Sequence, residues 1–387
     1  MKNINIAYVL SFLWRSWFWL GIWVFNYLRY TDYAGIGLLE TVMITTATIG
    51  EIPTGVIADL IGKKKTIIIA FFLGALGNIV QAIAPNYYVL MASIMIMTIG
   101  GAFYSGSLEA LVYDTLKEKG LTQSFKRVIA RINTMQNVGM AVAGICGGYL
   151  YQLNYSYPFY GVAIAYLIGM ILSFGLIEPS VDTEKYSWKR FISQNREGFG
   201  QLFMNKRIAY MSILFLVPSA FMIATENVLN DATAIELGFK STQLGIFATL
   251  LYLFGIFASE KSEWIINKMN SKNTFILIMF VYFLTLVFMP KASFLVGAIL
   301  LLLRYGASTI FGNYESVMIN DAIDSRYRAT TLSTFSLLRN IPYVFGATGI
   351  GMLMNLYTAK TFSLYFGIVF IFIVSLAFIA KPIFEKR

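Results

Sequence analysis

The sequence predicts an all-α membrane protein with twelve transmembrane helices arranged as two pseudo-symmetric six-helix bundles. The first observation is composition, because the chain is 57% hydrophobic and only 13% charged. Soluble domains carry about a quarter charged residues, so most of this surface is expected to face lipid. The second observation is a series of long apolar runs, and the third is the distribution of lysine and arginine between those runs.

The apolar runs define the predicted spans, because a helix that crosses a bilayer needs about 20 mostly apolar residues. The spans cover residues 5–28, 36–60, 66–84, 88–113, 126–151, 157–177, 208–230, 242–266, 273–290, 293–318, 329–355 and 361–380. The first run is long and no small-residue cleavage site follows it. We therefore expect a membrane span there and not a removable signal peptide.

The basic residues predict the orientation of the chain. Of the Lys and Arg residues in the loops and at the edges of the spans, 21 lie on the side of the two termini and 4 lie on the opposite side. Because cytoplasmic loops carry the excess of basic residues, both termini are expected in the cytoplasm of a multi-pass plasma-membrane protein. Residues 63–65 and 178–207 should then be cytoplasmic, while residues 30–35 and 236–240 should lie outside.

The longest gap between spans predicts the domain organisation. We expect an N-terminal six-helix bundle over residues 1–179, a solvated cytoplasmic linker over 180–206, and a C-terminal six-helix bundle over 207–387. The halves look like weak copies, because Gly106-x-x-Glu109 in the fourth span has a counterpart in Gly312-x-x-Glu315 in the tenth. Paired halves are a feature of transporter folds.

Several classes of function are disfavoured by composition. The chain has no histidine and one cysteine, which leaves little material for a metal site, a cofactor ligand or an enzyme's nucleophile and base. The net charge of +10 comes from short clusters between apolar runs, so we expect a lipid bilayer and not nucleic acid as the partner. There is no Gly-x4-Gly-Lys-Ser/Thr loop for a nucleotide, which points to an ion gradient as the energy source.

The segment from residue 51 to residue 65 carries the most specific motif. This segment resembles the signature loop between the second and third helices of the major facilitator superfamily. Five of its residues match the spacing of that signature. Leu60 stands where the signature has a basic residue. The matching residues are Gly55, Asp59, Gly62, Lys63 and Lys64. In that family the loop latches the two halves together on the cytoplasmic side. The resemblance therefore implies a latch, with Asp114 at the end of the fourth span within its reach.

A second motif, in the fifth span, leaves two interpretations open. Exporters of this superfamily tend to carry Gly-x3-Gly-Pro-x2-Gly-Gly, and this chain has Gly139, Ala143, Gly144, Gly147 and Gly148 at those positions. The proline is replaced by Gly144. The segment could be an antiporter motif or simply a small-residue face for helix packing.

Ionisable residues inside spans are costly in the membrane and are therefore candidates for function. The candidates for substrate binding or coupling are Arg15, Glu51, Glu226, Arg304 and Arg339. We expect Glu109 and Arg131, at similar depth, to form a structural ion pair. The alternative for Arg15 is a fixed pair with Glu51.

The resemblance places the first, fourth, seventh and tenth helices around a central cavity. Arg15 and Arg304 lie on two of these helices, so we expect them to face one water-filled cavity and to favour a substrate with a negative group.

The function expected from these features is secondary active transport of a small molecule by alternating access, with proton-coupled efflux as the leading expectation. The partners would be the bilayer, the substrate and protons, and the functional unit a monomer. Uptake of a metabolite, facilitated diffusion, and a non-transporting receptor on the same fold are the alternatives.

Overall fold

A computed structural model describes residues 1–180, 188–323 and 327–379, apart from a few side chains within helices. Within these ranges every regular element is helical, which confirms the predicted all-α class. The α-helices are α1 Lys2–Trp14, α2 Trp23–Tyr27, α3 Tyr33–Ile61, α4 Lys63–Ala82, α5 Tyr87–Tyr104, α6 Ser107–Glu118, α7 Phe125–Leu153, α8 Tyr157–Ser173, α9 Trp188–Leu202, α10 Lys206–Ala224, α11 Asn230–Glu236, α12 Ser241–Lys268, α13 Ser271–Val287, α14 Phe294–Ala322, α15 Arg328–Leu356 and α16 Ala359–Ile379.

Each predicted span falls on helix in the described ranges. Seven helical runs are long and apolar enough to cross a membrane, and α8 and α13 are shorter apolar helices of 17 residues. The three remaining predicted spans coincide with α1 and α2, with α7 and with α15. α1 and α2 are too short to cross a membrane singly, with 13 and 5 residues, whereas α7 carries the basic residues Lys126, Arg127 and Arg131.

Asparagine side chains define the beginning of three helices. The Oδ1 atoms of Asn86, Asn205 and Asn270 accept hydrogen bonds of 2.8–3.1 Å from the backbone N–H three residues later. Such a cap satisfies one of the N–H groups that the first turn leaves unpaired. The starts of α5, α10 and α13 are therefore determined locally, by a polar residue ahead of an apolar run.

The chain forms two compact units. Unit 1 contains Met1–Thr31, Val42–Trp188 and Ser241–Thr249, and unit 2 contains Asp32–Thr41, Lys189–Lys240 and Leu250–Arg387. The first nine residues of α3 are thus counted with unit 2 and the remainder with unit 1. The predicted linker includes α9, while residues 181–187 lie outside the described ranges.

The core of unit 1 is built by α1 and by α4 to α8. Its buried members include Leu10, Phe71, Leu111 and Val162, all 0% exposed. The small residues of α7 are buried as well, and a Cβ atom at Gly139 would collide with the backbone carbonyl of Phe12. This close approach supports the packing interpretation of the fifth-span motif.

Two spans that the sequence predicts as continuous are interrupted, so that detail of the prediction was wrong. The first span stops at Trp14 and resumes in α2, and the fourth span breaks between α5 and α6 at Ser105 and Gly106. Gly106 has φ +71°, and glycine adopts this left-handed conformation without steric cost. Interrupted helices expose backbone polar groups and are typical of sites in transport proteins.

Candidate functional site

A cavity of about 290 Å³ lies in unit 1 beside both interruptions. The residues that line it come from α1, α5, α6, α7 and the connecting segments: Trp14, Arg15, Gly101, Tyr104, Ser105, Gly106, Leu108, Glu109, Ile132 and Gln136. The lining combines aromatic and aliphatic groups with one cation, one anion and one amide. Convergent polar groups beside aromatic side chains are a recurring feature of small-molecule sites.

Aromatic contacts position Arg15 at this cavity. Its guanidinium lies 4.4 Å from the centre of the Trp17 ring, a cation–π arrangement. The Trp17 indole N–H donates to the Tyr166 hydroxyl at 3.1 Å, and that hydroxyl donates to the Trp14 carbonyl at 2.9 Å. Trp14 also stacks on Tyr104, with ring centres 3.9 Å apart. The irregular segment after α1 is thereby held in place, and Arg15 with it.

The carboxylates predicted to pair inside unit 1 are not joined to their expected partners. Among the described residues no salt bridge links Glu109 to Arg131 or Arg15 to Glu51. Glu109 lines the cavity, and the Arg131 guanidinium lies 5.2 Å from the centre of the Tyr8 ring. Glu51 is exposed on α3. The expectation rested on the similar depth of these residues along their spans. Whether two side chains meet also depends on the direction in which each points around its helix.

The loop between α3 and α4 holds the predicted latch residues. Lys63 forms a salt bridge with Asp114 at the end of the fourth span, where the side chain of Asp114 is 2% exposed. Gly62 has φ +91°, which allows α4 to begin one residue after α3 ends. Gly55 lies within α3, and the side chain of Asp59 is outside the described part of the molecule.

Glu178 completes this loop, a contact that the sequence did not predict. Its two carboxylate oxygens accept hydrogen bonds of 2.7 Å from the backbone N–H groups of Lys63 and Lys64. A carboxylate at a helix N-terminus interacts favourably with the helix dipole and with unpaired N–H groups. The structure thus gathers Gly62, Lys63, Asp114 and Glu178 at one end of unit 1.

Unit 2 contains a polar cluster around Arg339. The Arg339 guanidinium lies 3.5 Å from Oε1 of Glu315, which is buried, and Glu315 also accepts a hydrogen bond from the hydroxyl of Ser219. Glu315 and Arg339 were both expected inside spans, but not as a pair. The sequence could have indicated this pair, because the spacing of Glu315 and Arg339 nearly repeats that of Glu109 and Arg131 in the other half.

Glu226 lies on a π-helical turn, Thr225–Leu229, between α10 and α11. It accepts a hydrogen bond from the Ser308 hydroxyl, and its carboxylate is within electrostatic range of Arg339. Arg339 therefore acts on two carboxylates, Glu226 and Glu315. Single π-helical turns occur frequently at functional sites, because they offset one residue from the regular hydrogen-bond ladder.

Arg304 is placed differently from the expectation. It is 0% exposed inside unit 2 and lines neither the unit 1 cavity nor the cavity beside Glu260 and Trp264. Its Nε and Nη2 donate to the side-chain oxygen and the carbonyl of Thr285 at 3.3 and 2.8 Å, and its Nη1 donates to Oδ1 of Asn230 at 3.0 Å. Three neutral acceptors thus hold a buried cation, and water does not reach it.

Glu40 is a residue that sequence analysis missed. It is only 6% exposed and lies inside the predicted second span, directly after Leu38 and Leu39. The rule that intramembrane charges mark function applies to it as it does to the five candidates named from the sequence.

The chain resembles known proteins over most of its length. The family model for the Major Facilitator Superfamily matches residues 4–347. An uncharacterized MFS-type transporter, YxaM of Bacillus subtilis (strain 168), is 26% identical over 198 residues, covering 50% of this chain and 47% of the relative. The quinolone resistance protein NorA of Staphylococcus aureus (strain MSSA476) is 25% identical over 251 residues, covering 59% of each chain. The chain thus spans about half the length of these curated relatives.

Solved structures match over the whole chain at lower identity. The nucleoside transporter NupG superposes with a TM-score of 0.79 and 18% identity, covering 100% of this chain and 99% of that one. A POT family transporter in complex with 5-aminolevulinic acid gives a TM-score of 0.75 at 14% identity, covering 100% and 97%. These neighbours share the fold, which confirms the expected class of two six-helix bundles. The family expected from the Gly55 to Lys64 motif is confirmed as well: this chain belongs to the Major Facilitator Superfamily.

Proposed function

We propose that this protein is a secondary active transporter of the cell membrane that moves a small molecule by alternating access. The observation that carries the proposal is the unit 1 cavity, where two interrupted spans place Arg15 and Glu109 beside stacked aromatic rings. Charged side chains inside membrane spans are energetically costly. A cavity lined by both a cation and an anion is therefore a candidate for a binding site. Family membership supports the same function.

The charges of the cavity indicate the class of substrate. Arg15 presents a planar guanidinium, which suits a carboxylate or another electron-rich group, and Glu109 can receive a cationic group. Trp14 and Tyr104 offer stacking surfaces. We therefore propose an amphipathic substrate with a ring system and a negative or electron-rich group. Arg304 has no part in this site, since it is enclosed within unit 2.

Efflux is the proposed direction, because the relative NorA is named a quinolone resistance protein. The structural neighbours are less than 25% identical and speak only for the fold. We propose protons as the coupling ion and Glu226 as the carboxylate that carries them. Protonation of Glu226 would release it from Arg339, which could then pair more fully with Glu315. Glu51 on α3 is the second candidate.

The proposal also assigns a role to the cytoplasmic side of the protein. Both termini and the loop at Lys63 lie in the cytoplasm, and the protein acts as a monomer. The Lys63–Asp114 pair and the Glu178 cap hold this loop within unit 1, and we propose that the loop, with Asp59, serves as the cytoplasmic latch. The bundles of residues 1–179 and 207–387, with the linker 180–206, are the proposed moving parts.

The proposal is tested with purified protein in liposomes. A panel of labelled compounds that includes a quinolone and simple metabolites is offered with and without a pH gradient, in the absence of Na⁺. We expect flux that depends on the pH gradient. The Glu226→Gln variant should bind the compound but lose gradient-driven flux, while Glu260→Gln, which changes an exposed carboxylate on α12, should transport like the parent protein. Specific binding without any flux would overturn the proposal and indicate a receptor.

A further inference from the structure

The first part of α3 carries a carboxylate that the proposed transport site does not use. Glu40 lies seven residues after the first residue of α3, or about 10 Å along the helix. It is 6% exposed. A carboxylate in such surroundings needs a partner that compensates for lost hydration. We call the segment Asp32–Thr41, which is counted with unit 2, the α3 head.

The α3 head is packed tightly against α15 within unit 2. The backbone N–H of Tyr33 donates to Oδ1 of Asn355 at 3.1 Å, and the Thr41 hydroxyl donates to the carbonyl of Val344 at 2.9 Å. Glu40 and Tyr343 immediately precede Thr41 and Val344, the two residues joined by the second bond. The α3 head is therefore bonded to α15 near both of its ends.

Tyr343 contributes a polar atom that the described structure leaves without a partner. Its side chain is 2% exposed, and its hydroxyl makes no hydrogen bond. The hydroxyl is within electrostatic range of Glu40. Leaving a buried hydroxyl without a partner is unfavourable, so this group calls for an explanation in terms of function.

The other group that acts on Glu40 is a second carboxylate. Asp231 of α11 interacts electrostatically with Glu40 across unit 2, and it has further contacts of its own. Among the described residues, Asp231 is the charged group that acts on Glu40, and Glu40 in turn acts on the Tyr343 hydroxyl; no lysine or arginine is among the groups that act on Glu40. Two negative charges in a medium of low dielectric constant repel each other, and one bound proton removes the repulsion.

We propose that Glu40, Asp231 and the Tyr343 hydroxyl form a proton-binding site, and that the bound proton keeps the α3 head packed on unit 2. With the proton in place, Glu40 is neutral and can share a hydrogen bond with the Tyr343 hydroxyl. When the proton leaves, the negative charge faces Asp231, and the contacts of Tyr33 and Thr41 with α15 weaken. The remainder of α3 is counted with unit 1, so the proposed site lies on a helix that contributes residues to both units.

Hydrogen–deuterium exchange of the full chain in detergent tests the site without substrate or gradient. Protection of the backbone amides of residues 32–41 is measured from about pH 5 to pH 9 and corrected for the intrinsic exchange rate. We expect protection to fall by about tenfold as the proton leaves, which corresponds to about 1.4 kcal/mol in the packing equilibrium of the head. Glu40→Gln, a neutral side chain of the same shape, should keep the head protected at high pH.

Matched variants make the outcome decisive. Glu260→Gln, which neutralises an exposed carboxylate of the same unit, should follow the parent protein at every pH. Asp231→Asn gives a second route to the same result if Glu40→Gln folds poorly, because it removes the other charge. Protection that does not change with pH in the parent protein would overturn the proposal. Protection restored at high pH by Na⁺ but not by K⁺ would also overturn it, in favour of a metal cation. Failure of transport leaves this test unaffected, since its readout is local packing.

Discussion

Replacement of Arg304 by lysine tests whether this buried cation is structural. The arginine makes three hydrogen bonds, two to Thr285 and one to Asn230, and is 0% exposed. Lysine keeps the charge but has a single nitrogen, so we expect it to retain one of the three bonds. Hydrogen bonds from charged groups contribute about 1.5–3 kcal/mol each, so Arg304→Lys should lower the free energy of unfolding by about 3–6 kcal/mol.

The assay is unfolding of the purified protein in an SDS titration, followed by tryptophan fluorescence. Arg339→Lys is the matched control, because the Arg339 side chain is 38% exposed and its pair with Glu315 measures 3.5 Å. A partly exposed pair of this length contributes about 0–1 kcal/mol, so this variant should unfold close to the parent protein. An Arg304→Lys protein as stable as the parent, but unable to bind substrate, would refute the reasoning and return Arg304 to the substrate site.

Three further predictions concern the site and the topology. Asp114→Asn should slow transport several-fold while substrate binding survives, because the salt bridge of the proposed latch is lost; an unchanged flux measured in liposomes would contradict this role. Arg15→Lys should weaken substrate binding by about tenfold without lowering the unfolding midpoint, because the charge remains and the planar fork is lost. In a Cys146→Ala background, a cysteine in place of Lys64 should react with an impermeant maleimide only from the inside, and one in place of Lys240 only from the outside.

The positions of the helices were predictable from the sequence because they depend on properties of single segments. Apolar runs of sufficient length, asparagine caps and basic loops are all local signals, and the described helices follow them. The loop motif was predictable for the same reason, since Gly62 with its positive φ and the lysines that follow it are consecutive in the chain. The contact of this loop with Glu178 was not predictable in this way, because Glu178 is more than 100 residues away along the chain.

The roles of the buried charges were only partly predictable. Counting residues along a span gives the depth of a side chain but not its direction around the helix. Arg304 was therefore correctly placed inside a span, whereas its enclosure by Asn230 and Thr285 depends on how other helices pack against α14. The interruption at Gly106 has a local signal, a glycine between two helical segments, but that signal is weak inside an apolar run.

The central claim is that the substrate binds in the unit 1 cavity beside Arg15 and Glu109. Labelling of single cysteines tests it most directly, in a protein whose exposed Cys146 is replaced by alanine. Gln136→Cys places the reactive group in the cavity lining, and Thr134→Cys places it on the same helix away from that lining. A transported compound at about ten times its Kd should slow maleimide labelling at position 136 by about tenfold and leave position 134 unchanged. Equal labelling at position 136 with and without that compound would contradict the account.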